Sequence, residues 1–299
     1  MELFCHGTQG GWRKLPENPL LGGDLGTCFD ISMLREGDLI RMYFSWRDRK
    51  NISVTTSADG VHWSAPETCI DPRETPDGRE SRLNRPSIVK VGSIYHMWYT
   101  GQTKTTSAIF HAVSEDGVHF TRTSDEPVLR VDEGWEITSV MCPSVLWDEE
   151  KRLFRMWYSG GEQYEPNAIG YAESEDGLRW RKHAGNPIFK ADPATPWEQH
   201  KTTACQVFYH DGWYRMFYIG FHNEHYAQIG MARSRDGVTG WERSTHNPII
   251  APDEGAWDGD ACYKPFVLDM GGRWMLWYNG RREHKEQIGA AVLEGELGF

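Results

Sequence analysis

The sequence predicts an all-β fold, a five-bladed β-propeller of four-stranded blades in which the N-terminal strand closes the ring. Three observations carry this prediction. An aromatic strand motif occurs five times, a Ser-x-Asp-Gly turn occurs four times in step with it, and the strand lacking from the last copy is found at the other end of the chain.

The strand motif reads Met42-Tyr43-Phe44-Ser45-Trp46, Met97-Trp98-Tyr99-Thr100-Gly101, Met156-Trp157-Tyr158-Ser159-Gly160, Met216-Phe217-Tyr218-Ile219-Gly220 and Leu276-Trp277-Tyr278-Asn279-Gly280. Each copy starts about 60 residues after the last, a period that marks units which bury their apolar faces only by stacking on neighbours. The turn motif follows each of the first four copies, at Ser57-Ala58-Asp59-Gly60, Ser114-Glu115-Asp116-Gly117, Ser174-Glu175-Asp176-Gly177 and Ser234-Arg235-Asp236-Gly237. Asp-Gly suits a hairpin, the alternating stretch before it reads as a strand, and the aromatic after it opens the next. Those aromatics are Trp63, Phe120, Trp180 and Trp241, and the tail beyond them contains Asn186-Pro187-Ile188 and Asn247-Pro248-Ile249. The fifth copy has no such tail, but Trp12 followed by Asn18-Pro19-Leu20 matches it in spacing. Sharing a unit between the two ends is useful only in a closed ring, so a propeller is expected. Trp12, Trp180 and Trp241 are expected to be buried equivalents of one another.

Composition narrows the class further. A chain of 299 residues with 14 Trp, 12 Tyr and 12 Phe is long enough for a large core, and one domain spanning 1–299 is expected. A net charge of −11 argues against nucleic acid as a partner, because a binder of phosphate backbone needs a basic face. The sequence lacks a leader pattern and an apolar run long enough to span a bilayer, so no membrane association and a cytoplasmic location are expected. The six Cys are at 5, 28, 69, 142, 205 and 262 without a CxxC pair, which reads as buried reduced thiols. The Ser and Asp of the turns read as local backbone acceptors rather than as a calcium site, and no metal or cofactor is expected.

The strand order puts the Ser-x-Asp-Gly turns on one side. Opposite them lie the long charged loops at 71–84, 192–203 and 253–263, where a rigid scaffold places its site. Aligning the repeats on the aromatic motif puts Ile31, Pro86, Pro143, Gln206 and Pro265 in one column, preceded by Asp30, Arg85, Cys142, Cys205 and Lys264. At the start of each innermost strand such positions converge, so a carboxylate and two cations would face one cavity. An ion-pair network without function is the alternative.

With Arg85-Pro86-Ser87-Ile88-Val89, Cys142-Pro143-Ser144-Val145-Leu146 and Lys264-Pro265-Phe266-Val267-Leu268 leading into these strands, the chain resembles the furanosidase-type propeller glycosidases over essentially its whole length. That group comprises glycoside hydrolase family 43, the invertases and levanases, and the related mannoside phosphorylases. The resemblance implies that Asp30 is the first-blade aspartate, the general base of inverting members and the nucleophile of retaining ones. It also marks departures. The invertase pattern has Arg-Asp-Pro in blade two and Glu-Cys-Pro in blade three, where this chain has Asn84-Arg85-Pro86 and Met141-Cys142-Pro143; the arabinanase acid position, two residues before the blade-four column, falls on Ala204.

Glycoside hydrolysis needs a protonated carboxyl beside the leaving oxygen and a second carboxylate across the bond. Glu162 and Asp260 are the candidate acids, having no copies in other blades. Glu136, Glu198 and Asp258 each follow a Trp in the same way and read as scaffold. Arg85, Lys264, His200, Lys201, His222 and Arg281 are candidate ligands for sugar hydroxyls, a carboxylate or phosphate, and Trp46 is the candidate for stacking on a sugar ring. The expected function is hydrolysis of a glycosidic bond in a carbohydrate or oligosaccharide. The alternatives are a phosphorylase using inorganic phosphate and a non-catalytic propeller that binds a glycan or metabolite.

Overall fold

The computed structural model describes residues 7–299, so the Cys5 position lies outside the described residues. The five sequence repeats are five four-stranded antiparallel blades. Blade one consists of Cys28–Glu36, Leu39–Trp46, Asn51–Ser57 and Glu67–Ile70. Blade two consists of Leu83–Val91, Ile94–Gln102, Ser107–Ser114 and Thr121–Arg122. Blade three consists of Ser139–Asp148, Leu153–Gly161, Ala168–Ser174 and Arg181–Lys182. Lys201–His210, Trp213–Phe221, Ala227–Ser234 and Glu242–Arg243 make blade four. Ala261–Asp269, Arg273–Arg282 and Lys285–Glu294 make blade five, and its fourth strand is Arg13–Lys14.

The contacts divide the chain into two compact units. Asp30–Ile188 holds blade one from Asp30 onward and blades two and three; the chain up to Phe29, with Phe189–Phe299, holds blades four and five. In the first unit aromatic side chains fill the core, with the motif residues Tyr43 and Tyr99 beside Phe110 in one cluster and the motif residues Trp98 and Tyr158 beside Phe154 in another. In the second, Trp12, Phe217, Met231, Val267 and Tyr278 share a core. Successive motif aromatics such as Trp98 and Tyr99 point to opposite faces of their strand, and both are buried, in separate clusters.

The N-terminal segment is a structural part of blade five. Arg13 pairs with Val292 and Lys14 with Ala291, and Trp12, 3% exposed, meets Phe217 edge-on at 6.2 Å. Asn18 then takes the place of a further strand residue: its amide donates to the Ala290 carbonyl and its side-chain oxygen accepts the Ala290 N–H, both at 2.8 Å. Asn186 does the same for Tyr171, and Asn247 for Met231. Trp180 and Trp241 depart from expectation: both are partly exposed where Trp12 is buried. Trp180 opens its short fourth strand with its indole N–H on the Gly177 carbonyl, 3.0 Å away, so its ring lies over the turn at the blade margin.

The turns are self-contained. Ser114 Oγ accepts the Asp116 and Gly117 N–H groups, while Asp116 Oδ1 accepts those of Val118 and His119. Gly117 has φ +73, and a Cβ there would come within 2.9 Å of the Tyr95 ring, so both backbone and packing require glycine. Among the described residues, no group of three or more His, Cys, Asp or Glu is arranged to hold a metal ion, and no helix is long and apolar enough to cross a membrane. The thiols of Cys28, Cys69, Cys142 and Cys262 are buried, and that of Cys205 is partly buried.

Candidate functional site

One backbone feature recurs in the first strand of every blade. Asp30, Arg85, Cys142, Ala204 and Lys264 have φ of 55, 56, 54, 37 and 52°, a left-handed conformation that non-glycine residues adopt at a cost. In blades two to five the ladder register shifts there, between Asn84 and Ser87, Met141 and Ser144, Thr203 and Cys205, and Tyr263 and Phe266. A bulge of this kind turns one side chain away from the alternation of its strand, and bulges concentrate where a site needs a re-aimed group.

Side chains of adjoining strands hold these bulges. The Arg85 N–H donates to Ser45 Oγ at 2.9 Å and the Cys142 N–H to Thr100 Oγ1 at 3.2 Å. Just beyond, the Ile88 N–H donates to Ser32 Oγ, Val145 N–H to Ser87 Oγ and Val267 N–H to Gln206 Oε1.

The register corrects the alignment in blade four. Ser87 pairs with Trp98 and Gln206 with Phe217, so Gln206 is the equivalent of Ser87, Cys205 that of Pro86, and Ala204 that of Arg85. Proline cannot donate to the ladder, so the bulges of blades two, three and five span it; blade four has Cys205 instead, which pairs with Tyr218. Without that Pro the sequence has no marker for the column. The arabinanase-type acid position therefore falls on Thr203, also not an acid.

In the unit Asp30–Ile188 the structure brings Asp30 and Arg85 together and ties the loop of a third candidate, Glu162, to them. Asp30 is 2% exposed, and its carboxylate is 3.7 Å from Arg85 Nε, giving a buried negative charge a counter-charge. The same guanidinium donates from Nη2 to the Tyr164 carbonyl at 3.2 Å. That carbonyl belongs to the loop of Glu162, whose side chain is exposed, whose N–H donates to Asn167 Oδ1 and whose carbonyl accepts from Ser139 Oγ. Arg85 thus joins Asp30 to the Glu162 loop. Trp46 has a different place from the one expected: it is 8% exposed and Arg49 lies 4.2 Å over its ring, so an open stacking surface is not what it offers.

The remaining candidates are in the unit of blades four and five. Lys264 is 9% exposed in its left-handed bulge, and Lys201, 8% exposed, opens the first strand of blade four. His200 is exposed beside it. His222 donates from Nδ1 to the Pro196 carbonyl at 2.7 Å, and Arg281 donates to the His225 carbonyl at 2.6 Å; both groups are engaged in holding loop backbone. Asp260 is exposed, and its Oδ2 accepts the Glu283 N–H at 2.5 Å, which fixes the turn after the second strand of blade five.

A second set of carboxylates, wholly buried, follows a common plan. Glu136 accepts from Tyr158 Oη at 2.8 Å and pairs with Lys182 Nζ at 2.7 Å. Glu198 accepts from Tyr218 Oη at 2.5 Å and pairs with Arg243. Asp258 accepts from Tyr278 Oη at 2.8 Å and pairs with Lys14 Nζ at 2.7 Å. Burial lifts the Glu198 carboxyl above its usual range, pushes the tyrosine hydroxyls up, and leaves them as neutral donors. Glu80 is a fourth member that the Trp-based reading missed: it binds Tyr99 Oη and Arg122 Nε, each at 2.7 Å. Arg79 stands where the others have Trp, and Glu80 is five residues before its bulge where the others are six, so only a tolerance of one residue in spacing would have found it.

Relatives fit this architecture. A Mycobacterium tuberculosis protein described as uncharacterised is 29% identical over 95% of this chain and 99% of its own length. A type A blood N-acetyl-α-D-galactosamine deacetylase of Flavonifractor plautii is 23% identical over 83% of this chain and 38% of its own. The crystal structure of an N-acetylgalactosamine deacetylase from F. plautii, in complex with blood group B trisaccharide, matches with a TM-score of 0.70 at 15% identity, covering 97% of this chain and 95% of that one. A solved glycoside hydrolase matches with a TM-score of 0.76 at 17% identity, covering 98% of this chain and 95% of the other. Structural likeness at such low identity establishes the fold, the five-bladed β-propeller, and leaves the reaction to the residues. The family model "Glycosyl hydrolases family 43" matches residues 16–293, almost the entire repeat array, and the chain belongs to that family.

Proposed function

We propose that this protein hydrolyses a glycosidic bond in an oligosaccharide, with Asp30 as base or nucleophile and Glu162 as proton donor. The observation that supports it most is the placement of Asp30. A buried carboxylate in a left-handed bulge, with a guanidinium 3.7 Å away, is costly to maintain and contributes nothing obvious to packing. In the inverting form Asp30 takes a proton from water as the water attacks the anomeric carbon, and Glu162 gives its proton to the departing oxygen. In the retaining form the Asp30 carboxylate itself bonds to the anomeric carbon, and water displaces it in a second step. Arg85 orients Asp30 in either case. Glu162 is preferred to Asp260 because Arg85 ties its loop to Asp30, whereas the Asp260 carboxylate is taken up by the Glu283 N–H.

A second reading, glycan binding without cleavage, draws its support from Met141 and Thr203, which stand where related enzymes place acids. Nitrophenyl furanosides and pyranosides, including N-acetylhexosaminides, assayed with and without inorganic phosphate, separate the two readings. Turnover that Asp30→Asn abolishes is the expected result; turnover only with phosphate would make the reaction a phosphorolysis, and no turnover of any substrate would favour the binding protein.

A further inference from the structure

We propose that Tyr164 and Ile137 form an apolar platform that takes the ring of a neutral sugar next to the bond being cleaved. The proposal rests on the assignment of Asp30 and Arg85 to the site. Both residues are large, apolar and exposed, Tyr164 at 46% and Ile137 at 55%. Both also have left-handed backbones, with φ of 74° and 51°. A β-branched residue at positive φ is a marked outlier, and an exposed one gains no burial in return. Strain that packing does not reward concentrates at ligand sites.

The loops that carry the two residues adjoin. Ile137 bridges to Gly161, and the Thr138 N–H donates to the Gly161 carbonyl at 3.1 Å, which brings the loop before blade three's first strand against the loop after its second. Leu178, another exposed apolar residue of this blade, lies at the opposite ends of the strands, beyond the Asp176-Gly177 turn.

The Tyr164 loop is also preorganised. Glu162 is held at its N–H by Asn167 and at its carbonyl by Ser139, Gln163 donates to the Thr103 carbonyl at 3.1 Å, and Arg85 donates to the carbonyl of Tyr164 itself. An aromatic ring on a pinned backbone presents a fixed apolar face, and the C–H-lined face of a sugar matches it while the hydroxyl edge turns to polar neighbours. Glu165 follows the ring directly in sequence, so an anionic sugar would meet like charge there and a neutral one would not. Through Arg85, this platform is one guanidinium away from Asp30.

The test is calorimetric titration of arabinotriose, xylotriose, galactotriose and blood group B trisaccharide into the Asp30→Asn protein, in which no bond is cleaved, with and without a second substitution. At least one trisaccharide is expected to bind. Tyr164→Ala should then weaken it about 5- to 20-fold, while Tyr164→Phe stays close to the parent. Ile137→Gly relieves the backbone, so it should raise the melting temperature and yet weaken binding. Unchanged affinity in Tyr164→Ala, or no trisaccharide binding in the parent, overturns the platform; unchanged affinity in Ile137→Gly removes Ile137 from it. Cleavage of nitrophenyl glycosides by the wild type, measured separately, tells this failure from failure of the hydrolase reading: cleavage without trisaccharide binding sinks only the platform, and binding without cleavage sinks only hydrolysis.

Discussion

Glu80, Glu136, Glu198 and Asp258 repeat one arrangement with one chemistry, whereas Asp30, Arg85, Cys142, Ala204 and Lys264 repeat one arrangement with five different side chains. In the first set a carboxylate, a tyrosine hydroxyl and a cation from a fourth strand or its neighbour recur nearly unchanged, which is what a fastening between loop and sheet requires. In the second the backbone is held constant, at a cost in strain, and the side chain is left to vary. Constant geometry with varied chemistry is the mark of a site built on a repeat. A carboxylate in this chain is therefore read by its copies before it is read by its burial, since Asp30 and Glu136 are both buried and both face a cation.

That contrast is open to direct attack. The largest effect is expected at Asp30: Asp30→Asn should lower kcat by several orders of magnitude while moving the melting temperature little, because the change is nearly isosteric. Glu136→Gln should do the reverse. An Asp30→Asn protein as active as wild type would erase the distinction.

Next in size is the fastening at Lys14. Its side chain is 13% exposed and it pairs with a fully buried Asp258, so Lys14→Met should cost about 3–5 kcal/mol in urea unfolding by leaving that charge unpaired. Adding Asp258→Leu to the same protein should recover much of the loss. Deleting residues 1–21 should be worse, exposing the edge of Lys285–Glu294 and promoting aggregation. A truncated protein as stable as the full chain would show that blade five does not depend on its N-terminal strand.

A smaller, more selective effect is expected at Glu162. Glu162→Gln should impair substrates with poor leaving groups far more than activated aryl glycosides, and should remove the alkaline limb of the pH profile, since only the former need protonation of the leaving oxygen. If Asp260→Asn gives that pattern instead, the acid belongs to the other loop.

The smallest effect concerns the turns. Against the upward push of partial desolvation, the N–H groups of Arg179 and Leu178 hold the Asp176 carboxyl at about 2. A carboxyl lowered on folding stabilises the native state fully above the ordinary aspartate range, near pH 4, and loses that contribution as pH falls toward 2. Asp176→Asn should flatten the acid side of the stability profile slightly; a profile unchanged below pH 4 would exclude the turn from acid unfolding.

The blades were legible because their signals are local: a pair of adjacent aromatics in each second strand, an Asp-Gly where a hairpin must reverse, an Asn-Pro six residues past an aromatic. Four of the five bulge positions were legible too, since the Pro or the spacing that follows the bulge marks it. Cys205 was misplaced by one because blade four lacks that Pro. Tyr164 and Ile137 left no trace in the sequence: the Tyr164 loop is set by hydrogen bonds of Asn167, Ser139, Gln163 and Arg85, Ile137 ends the short 3-10 turn Gly134–Glu136 with its N–H on the Gly134 carbonyl, and spacing encodes neither. Trp46 was overvalued for the opposite reason, because breaking a repeat in sequence can mean packing as readily as function.

The Asn18 clamp on Ala290 joins residues 272 positions apart, whereas Asn186 reaches Tyr171 across 15 and Asn247 reaches Met231 across 16. Four blades are contiguous in the chain and can collapse as they emerge from the ribosome; the fifth has to wait for a partner made at the start of synthesis. Closing so long a loop is slow, and contact order predicts that this step limits the folding rate. Transplanting the segment 7–21 to follow Phe299 would make every blade local and should speed refolding, which turns the seam of this molecule into a clock.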